Sequence, residues 1–136
     1  MGTRQSLRDY AAGALVANAP SWLLSLLFPY LRTVTGYIFT ALAIFFTAMA
    51  GGVAAGYLVA RRANSEQVKV GLSTGLFSYT IYALFLTFTG VRGGAMDDIP
   101  SLTGFVIGGA TGARLWETKH QRRMDQLHHD QSMPRA

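Results

Sequence analysis

Residues 36–60 read GYIFTALAIFFTAMAGGVAAGYLVA, an apolar run with no Lys, Arg, Asp, Glu or His, closed by Arg61-Arg62. A helix needs about 20 apolar residues to cross about 30 Å of hydrocarbon at about 1.5 Å per residue. This run therefore predicts a transmembrane span, with Arg32 ahead of it and the arginine pair behind it as charged boundaries. Val70 to Val91 meets the same criteria between Lys69 and Arg92.

Two further spans are expected on either side. Tyr10 to Leu31 is long enough, but it contains Asn18, Pro20, Ser21, Ser25 and Pro29. Pro20 has no N–H and leaves the Val16 carbonyl without its helical donor, which predicts a bend over residues 16–20 with Asn18 or Ser21 serving the freed group. Arg4 and Arg8 followed by the small residues 11–19 resemble a signal peptide, and the segment is read as an uncleaved first helix. Residues 1–6 also fit a loose myristoylation pattern that would require removal of Met1. The fourth candidate, 98–115, is short and glycine-rich. Asp97-Asp98 suit its cap, Pro100 its first turn and Trp116 the membrane interface; a re-entrant segment is the alternative.

The expected fold is thus an all-α membrane protein, a four-transmembrane-helix bundle with tight glycine-mediated packing. Residues 1–115 form one membrane domain with spans at about 10–31, 36–60, 70–91 and 98–115, and residues 116–136 form a basic tail, partly helical. Charge placement orients it, because cytoplasmic segments carry the excess of Lys and Arg. One side holds Arg4, Arg8, Arg61, Arg62, Lys69, Arg114, Lys119, Arg122, Arg123 and Arg135, the other Arg32 and Arg92. Both termini are expected in the cytoplasm, with the chain multi-pass in the cytoplasmic (inner) membrane.

Lipid tails are as apolar as leucine, so helices in a membrane associate through small residues that let backbones approach. Such residues recur at intervals of four: Ala48, Gly52, Gly56 and Ala60; Gly71 and Gly75; Gly104, Gly108 and Gly112. These glycines are the candidate helix-packing residues. Gly71, Gly75, Ser78, Tyr79, Tyr82 and Thr89 fall on one side of the third expected helix, with Phe77, Leu84 and Phe88 opposite. Asn18, Ser21, Tyr79, Tyr82 and Thr89 are candidates for a polar path.

Chemistry is sparse. None of the 136 residues is cysteine, which excludes disulfides and thiolate chemistry. No Walker loop, dinucleotide fingerprint or nucleophile–base pair stands in a suitable context. No ionisable group is expected inside the hydrocarbon region, which argues against a carboxylate-coupled transporter. His120, His128 and His129 are weak metal candidates on a basic tail, and no cofactor is expected. Arg61, Arg62, Arg114, Trp116, Lys119, Arg122 and Arg123 fit a surface that meets anionic lipid headgroups. Nucleic acid is not an expected partner.

The segment Gly51-Gly52-Val53-Ala54-Ala55-Gly56-Tyr57-Leu58-Val59-Ala60-Arg61-Arg62, followed by a short polar loop and two more glycine-spaced segments, resembles the small four-span membrane proteins of unknown function found in bacteria and archaea. The resemblance covers residues 36–115 and implies a topology but no activity. The expected role is a non-catalytic accessory or structural subunit of a larger membrane assembly or a homo-oligomer. A small oligomeric channel or transporter is the alternative, and a holin-like pore a more distant one.

Overall fold

The computed structural model describes residues 6–63, 66–90 and 95–132 and is helical almost throughout. Three helices follow one another: α1 (Leu7–Ala60), α2 (Gln67–Thr89) and α3 (Ala95–Ser132). Two of them, α1 and α2, are long and apolar enough to cross a membrane.

The expected four-transmembrane-helix bundle is therefore corrected. The stretches 10–31 and 36–60 lie in one 54-residue element, α1, whose two helical portions join through the non-helical Gly36, and 98–115 lies inside α3, which is not among the two candidate spans. The reasons are local. The charged and polar residues 32–35 were expected to end a helix, yet the Thr33 and Thr35 hydroxyls donate to the Tyr30 and Leu31 carbonyls, and the helix continues. Beyond Leu115 no Gly or Pro interrupts α3, and Glu117, Lys119, Gln121, Arg122 and Arg123 are strong helix formers.

A straight helix as long as α1 would measure about 80 Å. Instead its path reverses at Gly36, the one non-helical residue within it, at φ 78° and ψ 175°. That combination is essentially reserved for glycine. The portions before and after Gly36 lie against each other: Gly13 faces Ala55 and Val59, and Gly51 sits on the backbone of Ala17. Pro20 and Pro29 are accommodated with helical backbone on both sides, so the only break lies at Gly36 rather than at residues 16–20. The Asn18 amide donates to the Ala14 carbonyl, not to that of Val16.

Long-range contacts fix the two ends. Asp9 bonds Arg62, and the Tyr57 ring meets Trp116, which gathers the start of α1, its end and the middle of α3. At the opposite end Arg32 is ion-paired with Asp97. Asp97 was expected to cap a helix; it lies within the first turn of α3 and faces α1 instead.

The interior is built mostly from small and weakly polar residues, with Ala14, Ala17, Ala48, Ala55, Asn18, Thr74 and Ser78 buried and Tyr82 and Phe105 as the largest enclosed side chains. Large apolar side chains lie outside, including Leu26, Ile38, Phe39 and Phe88, the last 88% exposed. In water such a surface would forgo roughly 1.5–3 kcal/mol per large apolar side chain left unburied. Against lipid tails it forgoes almost nothing.

Candidate functional site

Three features combine polar or unusual chemistry with defined geometry: the helix crossings, a row of polar side chains inside, and the basic end.

The crossings centre on α3. On one face Gly104, Gly108 and Gly112 lie against residues 45–57 of α1. A Cβ on Gly104 would stand 2.6 Å from the Phe45 carbonyl oxygen, while one on Gly108 would run into the Met49 carbonyl and one on Gly112 into that of Val53. The next residue, Gly109, points about 100° away and meets the backbone of Gly71 on α2. Across these contacts, Gly52 faces the Phe105 carbonyl at 2.8 Å from its hypothetical Cβ, Gly75 faces it at 2.5 Å, and Gly56 and Gly71 both abut Gly109. All seven glycines picked from the sequence for helix packing, namely Gly52, Gly56, Gly71, Gly75, Gly104, Gly108 and Gly112, thus lie at contacts within this chain.

Gly51 and Gly109 were not picked, although they too meet backbone; Gly13, also not picked, meets the side chains of Val59, Thr74 and Ala55. For Gly51 and Gly109 the signal was present as two adjacent pairs. Gly51 meets the first part of α1 while Gly52 meets α3; Gly108 meets α1 while Gly109 meets α2. Counting only i, i+4 rows detects one neighbour per helix, whereas a Gly-Gly pair lets a helix touch two neighbours closely.

The polar-path candidates divide. Asn18, Ser21 and Tyr82 are buried, Tyr79 is half-buried, and Thr89 is exposed with its hydroxyl donating to the Phe85 carbonyl at 2.9 Å. The Asn18 amide bridges the Ala14 carbonyl at 2.8 Å and the Ser78 carbonyl of α2 at 3.0 Å. Nearby hydroxyls serve their own helices: Thr74 donates to Val70, Ser78 to Thr74, and Ser101 to the Asp97 and Asp98 carbonyls. Five buried atoms of this region have no hydrogen-bond partner among the described residues: Asn18 Oδ1, Ser21 Oγ, Trp22 Nε1, the Tyr82 hydroxyl and Asp97 Oδ1. Two rings frame them, Trp22 against Phe85 at 5.0 Å and Tyr82 against Phe105 at 5.8 Å between centroids. Sequence reading missed Asp97 as an enclosed carboxylate, because its partner Arg32 is 65 positions away in the chain.

At the basic end, Arg62 donates to Asp9 at 2.8 Å and holds that carboxyl, which precedes the apolar run, below the usual carboxylate range. Among the described residues the ion pairs are Arg32–Asp97, Arg62–Asp9 and Lys69–Glu66. Arg61, Arg114, Lys119, Arg122 and Arg123 are exposed and are not members of those pairs. Trp116 is half-buried, edge-on to Tyr57 at 5.6 Å and stacked with His120 at 5.5 Å. His128 approaches the Met124 carbonyl, and His129 sits beyond it on the same exposed stretch. No cluster of three or more metal-ligating side chains occurs among the described residues. Arg4 and Arg135 of the expected cytoplasmic set, and Arg92 of the opposite one, fall outside the described residues, as do residues 1–5 of the myristoylation pattern.

Comparison of the chain with protein-family models, with curated proteins and with solved structures returns no match.

Proposed function

We propose that this chain is a multi-pass protein of the cytoplasmic membrane, with both termini on the cytoplasmic side, that acts as a non-catalytic accessory subunit by holding a charge-rich, solvent-facing helix out to a partner. The carrying observation is the continuity of α3. Its first half is clamped by glycine contacts to α1 and α2, and every described side chain from Glu117 through His129 is exposed on the same unbroken helix. The stretch from Trp116 to Ser132 extends about 25 Å, far enough to leave the headgroup layer.

The glycine faces are closed against one another within the chain, so in this reading they hold the subunit together rather than recruit its partner. Contact with a partner, or with a second copy, falls to the projecting part of α3, where Met124 and Leu127 are about half exposed among Arg and His side chains. Photo-crosslinkers at positions 124 and 127 in native membranes test this. A discrete protein adduct supports the reading, and adducts with lipid alone overturn it.

The five unpartnered buried atoms favour a second reading, in which the chain passes a small polar solute or ion. An interior polar group without a donor or acceptor is costly in a low-dielectric setting, and such groups in membrane proteins often line a path. Flux into proteoliposomes that falls on Asn18→Leu and Tyr82→Phe substitution would support it, and flux unaffected by both would remove it.

A further inference from the structure

The basic end contains a cavity of about 220 Å³ lined by Tyr57, Arg61, Trp116, Lys119, His120 and Arg123. Its composition is one-sided: two guanidinium groups, an ammonium, an imidazole and two aromatic rings, with no carboxylate in the wall. Arg61, Lys119 and Arg123 belong to none of the ion pairs formed among the described residues. Three cations held around one hollow repel one another unless an anion sits between them, and arginine forks match the oxygens of a phosphate in bidentate geometry.

The hollow is also built rather than incidental. Arg61 is the residue that ends α1, fixed by its backbone N–H to the Tyr57 carbonyl at 3.1 Å. Tyr57 packs edge-on against Trp116, which stacks on His120, so the aromatic floor is locked to both helices. The cations of α3 stand one and two turns beyond that floor. An adjoining hollow shares Tyr57, Lys119 and Arg123 and adds Arg122 and the exposed Leu115. Its wall therefore runs from guanidinium groups at one end to an apolar side chain at the other, the sequence of surfaces that a phospholipid presents from headgroup to acyl chain.

We propose that this cleft binds one anionic phospholipid, its phosphate between Arg61, Lys119 and Arg123 and its acyl chain along Leu115. The inference rests on the membrane placement proposed above and commits to a lipid rather than a soluble phosphate, because the hollow that shares Tyr57, Lys119 and Arg123 with the cleft is also lined by Leu115. Tyr57 and Trp116 face the glycerol region, and Arg123 is the wall residue nearest the projecting end of α3.

Native mass spectrometry of the full chain released from nanodiscs tests it, comparing phosphatidylcholine alone with phosphatidylcholine plus cardiolipin or phosphatidylglycerol. The expected result is one anionic lipid retained in preference to phosphatidylcholine, reduced about tenfold by Arg61→Gln with Arg123→Gln, a loss of roughly 1.4 kcal/mol. Arg8→Gln with Lys69→Gln removes the same two charges outside the cleft and should leave retention unchanged. Equal loss with that pair would mean diffuse attraction and overturn the site, as would displacement of the lipid by inorganic phosphate at equal concentration. Insertion into the nanodisc without selective retention defeats the cleft alone, while failure to insert defeats the membrane placement as well. The crosslinking outcome at positions 124 and 127 is independent of either result.

Discussion

Gly56 of α1 and Gly109 of α3 cross so closely that a methyl group on Gly56 would clash with the Gly109 carbonyl oxygen. Backbone cannot rotate away as a side chain can, so the contact tolerates nothing larger than hydrogen. Gly56→Ala and Gly109→Ala should each destabilise the fold by about 1–3 kcal/mol, the usual range for overpacking a close-packed interior. Reversible unfolding in mixed micelles measures this. A loss below about 0.5 kcal/mol, the usual range for a neutral surface change, would contradict the crossing.

Gly36 should respond through a different mechanism. A Cβ there would meet nothing within 4 Å, yet its φ of 78° with ψ of 175° is a conformation that side chains disfavour. Gly36→Ala is expected to cost about 1–3 kcal/mol from backbone strain alone. Gly36→Asn should not rescue it, because asparagine tolerates the left-handed helical region near ψ 47° and not this extended one. Rescue by Asn in the same unfolding assay would show that the reversal is differently built.

The Arg32–Asp97 pair joins α1 to α3 with one partner enclosed and the other 38% exposed. Removing the arginine leaves a buried carboxylate without its counter-charge, a change that destabilises fully buried pairs by about 3–5 kcal/mol and should do less here because Arg32 reaches solvent. Arg32→Gln is therefore expected to be worse than Arg32→Gln combined with Asp97→Asn. A double-mutant cycle reports the difference, and strict additivity would show that the two side chains do not interact.

Asn18 ties α1 to α2 through the Ser78 carbonyl. Hydrogen bonds between membrane helices average about 0.6 kcal/mol and reach about 1.7. Asn18→Leu should lose stability within that range, offset in part because the unpartnered Asn18 Oδ1 disappears with it. Thermal unfolding in detergent checks the sign: stabilisation by leucine would mark Asn18 as retained for something other than folding.

Much of the interior could be read from the sequence because the physics there is short-range. Glycine rows at four-residue spacing identify helix faces, and the structure places Gly52, Gly56, Gly104 and Gly108 at contacts between α1 and α3. The element count could not be read in the same way. Arg32 and the threonines after it looked like a boundary, but the helix runs on to Gly36, with the Thr33 and Thr35 hydroxyls turned back onto carbonyls of the preceding turn. Nor does composition reveal that Leu115 and Glu117 share one helix, since the change from apolar to charged residues changes the surroundings and not the helix itself. Asp97 illustrates the remaining gap: an acidic residue before a proline resembles a helix cap, and only the fold brings Arg32 to it.

In the placement proposed above, the Arg62–Trp116 end lies in the cytoplasm and the Arg32–Asp97 end on the far side of the membrane. The absence of cysteine from the sequence makes single-cysteine labelling a clean assay. Leu127→Cys, Thr33→Cys and Leu26→Cys can be compared in right-side-out and inverted membrane vesicles with an impermeant maleimide. Position 127 should label only in inverted vesicles, position 33 only in right-side-out ones, and position 26 in neither. Labelling of positions 33 and 127 from the same face, or ready labelling of position 26 in a fraction released without detergent, would contradict the account.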